Sequence, residues 1–112
     1  MPTGVDDPFQ HDVQISVENL DSVGLRRLAK KPRWQPNVRV GPDNWTLLHL
    51  AIDAELDFSH QFRQPLAPDM TRLLLELGTD PRLQAANGET PSEMAFRREH
   101  GPAVELLKRY EA

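Results

Sequence analysis

Cysteine is absent from the 112 residues, which excludes disulfide staples, a thiolate nucleophile and cysteine-ligated zinc. No apolar run approaches the roughly 18 residues that a membrane-spanning helix needs. The opening Met1-Pro2-Thr3-Gly4-Val5-Asp6-Asp7 has neither the basic start nor the apolar stretch of a secretory signal. A cytoplasmic protein with no membrane contact is therefore the expectation. No glycine-rich phosphate loop and no Gly-x-Ser-x-Gly elbow occurs. The four histidines His11, His49, His60 and His100 are scattered. Catalysis has little to stand on, and no enzyme activity, no cofactor and no metal are expected.

Basic residues are scarce where acidic ones are dense. Residues 1–40 hold six Lys/Arg and five Asp/Glu, whereas residues 41–112 hold seven against twelve. The net charge is −4, carried entirely by the second part. Duplex nucleic acid would be repelled there, because its binding is driven by basic contacts to phosphate. A protein partner with a basic surface would be attracted. Between Arg39 and Arg63 no Lys or Arg occurs, while Asp43, Asp53, Glu55 and Asp57 all do.

What is there in quantity is helical spacing. Val13, Val17 and Leu20 fall at i, i+4, i+7, with Phe9 leading by one turn. Asp21-Ser22 reads as an N-cap for a second helix with Val23, Leu25 and Leu28, ended by Pro32. Val38 to Asp43 reads as extended, turning at Gly41-Pro42-Asp43-Asn44. Thr46 to about Leu56 is a third helix, and Phe58 to Ala67 a loop containing Pro65. Pro68-Asp69 opens a fourth helix that Gly78 stops. Asn87-Gly88 marks a turn before a fifth helix from Thr90-Pro91 through Arg98, and Gly101-Pro102 precedes a sixth, Ala103 to Tyr110. Residues 1–8 read as a flexible tail, and 9–112 as one all-α domain.

The helices repeat. Asn44-Trp45-Thr46-Leu47-Leu48-His49-Leu50-Ala51 lines up with Gly88-Glu89-Thr90-Pro91-Ser92-Glu93-Met94-Ala95, and Met70-Thr71-Arg72-Leu73-Leu74 with Ala103-Val104-Glu105-Leu106-Leu107. Gly78-Thr79-Asp80-Pro81 follows one pair, with Gln35-Pro36-Asn37-Val38 as its weaker echo. These residues resemble the ankyrin repeat, with its Gly-x-Thr-Pro-Leu-His start and Gly-Ala-Asp-Pro end. The resemblance spans about residues 10–110. Thr46 and Thr90 stand 44 apart, longer than the family period of about 33, and the excess falls at the loop near 58–67. Leu47 departs from the family's proline, and Ser92-Glu93 from its Leu-His.

The resemblance implies a solenoid of about three helix-turn-helix units, 9–40, 41–84 and 85–112, with capping ends. Glu99, Glu105, Lys108 and Arg109 suit a polar outer cap. In that family His49 bonds neighbouring turns, and His100 matches a histidine between the two helices of a unit. The concave face and turn tips bind partners, which singles out Asp43, Asn44, Trp45, Asp53, Glu55 and Asp57, with Arg97 and Arg98 on the last unit. Trp45 reads as an exposed anchor, with the ring folded back onto Trp34 or the neighbouring turn as the alternative. Phe58 and Phe62 either plug an inter-helix groove, the preferred expectation, or join the interface. The resulting expectation is a protein-binding module, monomeric when free, that occludes its partner as an immunity-type inhibitor of a bacterial toxin does. A regulatory or assembly adaptor is the alternative. A small metal-dependent hydrolase using His49, Asp53 and Asp57 is the competing chemistry.

Overall fold

The computed structural model describes residues 7–111; the expected tail falls mainly on residues 1–6, which lie outside them. Asp7 and Pro8 do not belong to a tail. Pro8 is the first residue of α1 (Pro8–Glu18), and the Asp7 carboxylate caps it by accepting from the Phe9 N–H at 3.0 Å. Proline suits that position because its missing N–H would have had no helical partner. Asp21 caps α2 (Ser22–Ala29) in the same way, accepting from the Gly24 N–H.

Two short strands follow, β1 (Arg39–Val40) and β2 (Trp45–Thr46), paired antiparallel with Val40 opposite Trp45. β1 lies within the stretch from Val38 that read as extended, though two residues per strand are too few to show alternation. Asn44 closes the turn between them at φ +55, a left-handed conformation that asparagine tolerates.

Thr46 then caps α3 (Leu47–Phe62), and Thr90 caps α5 (Pro91–Arg97). Both form full capping boxes: the hydroxyl accepts from the N–H three residues on, and the side chain there, His49 or Glu93, accepts from the threonine N–H. α4 (Asp69–Glu76) and α6 (Gly101–Glu111) complete six helices among the described residues. Gly101 and Pro102, expected to separate two helices, are instead the first turn of α6.

The largest departure is the length of α3. Phe58 to Phe62 lie in the helix, and the irregular segment begins only at Arg63. No breaker occurs before Pro65, and the Phe58 and Phe62 rings, four residues apart, meet at 4.9 Å between centroids, a spacing that supports helix. The end is specifically built. Arg63 turns left-handed at φ +53, and the Ser59 hydroxyl donates to the Gln64 carbonyl at 2.6 Å.

The helices pack as pairs, α1 on α2, α3 on α4 and α5 on α6. α3 also packs on both α1 and α5, and α4 on α6, so the pairs lie side by side. One apolar core runs through them. Val13, Val17 and Leu25 of the first pair meet Leu47, Leu48, Ala51, Ile52 and Leu74 of the second and Met94, Ala103 and Leu107 of the third. Small residues, Ala51, Ala95 and Ala103, are wholly buried and let backbones approach. Gly78 (φ +98) ends α4 with the Thr79 N–H donating back to the Leu74 carbonyl.

Candidate protein-binding surface

The turns are tied across the pairs. His49 is buried on α3, and its Nδ1 accepts from the Thr46 N–H at 3.1 Å and the Thr46 hydroxyl at 2.8 Å. That leaves Nε2–H to donate to the Glu89 carbonyl at 2.9 Å, on the next turn. Beside it the Ala86 N–H donates to the Asp43 carbonyl at 2.9 Å. Arg39 donates to the Asn44 and Gln84 carbonyls, and the Asp80 N–H to the Asn37 side chain. The tip Gly41-Pro42-Asp43-Asn44 is thus exposed but rigidly held.

Burial pushes the His49 pKa down, against the opposing pull of its bond to Glu89. The unfolded chain therefore binds more protons below pH about 6.5, and stability contributed here falls as pH drops through that value. We expect the denaturation midpoint to fall from pH 7 to pH 5 more steeply in the wild type than in a His49→Asn variant. Equal slopes would contradict the neutral, doubly bonded ring. Glu89 is pulled down to about 2 by the two hydrogen bonds from Arg97. Its contribution is present above the ordinary carboxylate range and is lost as pH falls toward 2. Glu89→Gln should flatten stability between pH 4.5 and 2, measured by chemical denaturation; an unchanged acid slope would contradict the pairing.

Several residues expected on one binding face part company. Glu55 is 3% exposed and faces inward. Its Oε2 accepts from the Thr71 N–H, and its Oε1 from the Thr71 hydroxyl and from His100 Nε2–H, all at 2.8 Å. His100, 0% exposed, uses Nδ1 to accept from the Ala103 N–H. Glu55 is thus a buried clasp joining α3, α4 and the start of α6, not a partner contact. Trp45 is not an exposed anchor either; it sits half-buried on β2, packed against the core. Asp53 and Arg98, expected to act separately, pair with each other at 2.7 Å across α3 and the end of α5. Arg97 is held by Glu89.

The phenylalanines do not plug a groove. Phe58 and Phe62 are 44% and 54% exposed. They stand at the mouth of a cleft between the C-terminal ends of α1 and α3, lined by Glu18, Leu20, Leu50, Asp53, Asp57 and Gln61 among others. The cleft runs on, through Glu18 and Leu50, into a groove beside α1 lined by Gln14, Val40, Asp43 and Trp45. Of the expected site residues, Asp43, Trp45, Asp53, Asp57, Phe58 and Phe62 therefore line one connected surface. The contribution of α1, through Gln14 and Glu18, was missed; both lie one turn apart on the polar stripe of that helix, which is the available signal.

His60, on the exposed side of α3, and His49, with both ring nitrogens taken, do not converge with Asp53 and Asp57. Among the described residues no group of three His, Asp or Glu is placed to hold a metal ion. No helix there is long and apolar enough to cross a membrane. The chain matches no protein-family model, and no curated protein is similar enough to it to count as a relative.

Proposed function

We propose that the chain is an ankyrin-type solenoid of three helix-turn-helix units, 9–40, 41–84 and 85–112, that grips another protein and blocks it. Support for the architecture comes from equivalent devices at equivalent places. Thr46 and Thr90 carry the same capping box, and His49 bridges one turn to the next. The insertion that lengthens the middle unit is spent in part on the continuation of α3 through Phe62.

The observation that carries the function is the Phe58–Phe62 pair, exposed beside an acidic cleft on a helix that does not need it for packing. Large exposed aromatics beside a concave surface are the usual anchors of protein interfaces. The surface is pre-formed, its turns cross-tied by side chains, so binding loses little ordering entropy. Orientation and on-rate come from Asp43, Asp57 and Glu18, which draw a basic partner. Occlusion suits a domain that offers one continuous face, and an immunity-type inhibitor of a bacterial toxin is the specific form we favour over an adaptor. Against the hydrolase stands the ring of His49, whose two nitrogens are committed to Thr46 and Glu89.

The test is a titration of the chain against its partner, isolated from the source cell. Loss of the partner's activity at one equivalent supports occlusion. Full retained activity in a stable complex would favour the adaptor, and no stable complex would end the proposal.

A further inference from the structure

We propose that the cleft at the C-terminal ends of α1 and α3 seats a lysine or arginine side chain of the partner, with an apolar neighbour of that residue laid on Phe62. This rests on the protein-binding function above and names the chemistry that the site selects. Glu18, Asp53 and Asp57 line the cleft, and no Lys or Arg lines it. Arg98, which does not line it, neutralises Asp53 at 2.7 Å. Glu18 and Asp57 are left, both exposed, with no ion pair among the described residues. Two uncompensated carboxylates facing one cleft attract a cation more than either does alone.

The aromatic pair adds the second element of recognition. Phe58 and Phe62 are tilted by 45° to each other, so they present differently oriented faces to an incoming group. An aromatic face is the negative part of the ring and attracts a cation within about 6 Å. Leu20, Leu50 and Ala54 floor the same cleft, which suits the aliphatic stem of a long basic side chain whose charged head stays near the carboxylates. An acidic segment would meet Glu18 and Asp57 with like charge. A purely apolar one would strip them of water without compensation. A basic residue flanked by an apolar one meets both demands.

The probe is a displayed library of random twelve-residue peptides panned against the whole folded chain. Selected peptides should carry Lys or Arg beside an apolar residue. Their binding should weaken at least tenfold in Asp57→Lys and in Phe62→Ala, stay unchanged in Phe96→Ala at the far end of the molecule, and weaken with added salt. All three positions are exposed, and circular dichroism checks that each variant keeps its helices. Acidic selected peptides, or basic ones indifferent to both cleft variants, would overturn the seat while leaving protein binding standing. A library yielding no binder at all would contradict the seat and the proposed function together.

Discussion

Glu55→Ala should destabilise the chain by roughly 3–5 kcal/mol, because three buried neutral donors lose the one carboxylate that satisfies them. The carboxylate accepts three hydrogen bonds, from the Thr71 N–H, the Thr71 hydroxyl and His100. Alanine leaves all three donors buried without partners, and burying an unpaired polar group costs about 1–3 kcal/mol each. Glu55→Gln should recover part of the loss, because its amide oxygen still accepts while its amide NH2 meets another donor. His100→Ala should be costly alone but add little on top of Glu55→Ala, since both remove the same contact. Urea denaturation of the two single variants and the double variant checks this. Additive losses would contradict a shared clasp. A domain of this size has about 5–15 kcal/mol in all, so the loss of Glu55 would remove a large share of it.

Trp45→Ala and Phe62→Ala should have opposite outcomes although both remove an aromatic ring. Trp45 packs on the core beside the turn, so its loss should cost about 3 kcal/mol or more, in the range for large-to-small changes at packed aromatics. Phe62 is over half exposed, so its loss should change stability by about 0.5 kcal/mol, as surface substitutions do. Binding should reverse the order. Truncating an interface anchor costs 2 kcal/mol or more, so under the proposed binding function Phe62→Ala should weaken the complex at least 30-fold while the chain stays folded. Asp53→Arg is a poor probe of binding, because it sets a cation against Arg98. Thermal melts and titration calorimetry on the same samples separate the two effects. A stable Trp45→Ala chain would mean that the ring does not support the turn.

Which parts were legible in the sequence follows from what each residue depends on. Helix starts depend on their neighbours three residues away, so the caps at Asp21, Thr46 and Thr90 could be read directly. Asn44 was legible for the same local reason. The end of α3 was not. Its continuation is supported by a Phe58–Phe62 contact and by the Ser59 cap at Gln64, both of which look like loop composition when read residue by residue. Glu55 was misplaced because charge was weighed ahead of position. It follows Leu48 and Ile52 by seven and three residues, which puts it on the buried stripe of α3, and only the folded chain brings Thr71 and His100 to meet it. Trp45 was misplaced because a two-residue strand turns the ring inward. The outer end of the last pair is also less polar than a cap should be: Glu99, Glu105, Lys108 and Arg109 are exposed, but so is Phe96, at 70%.

Two exposed phenylalanines, Phe62 in the cleft and Phe96 at the far end, allow the proposed grip to be tested within the living source cell. A photo-reactive benzoylphenylalanine placed at either position, one per variant, should cross-link whatever protein touches it on illumination. The cleft assignment predicts a single protein product from position 62, lost when Asp57→Lys is added, and none from position 96. The same product from both positions, or products from position 96 alone, would contradict it.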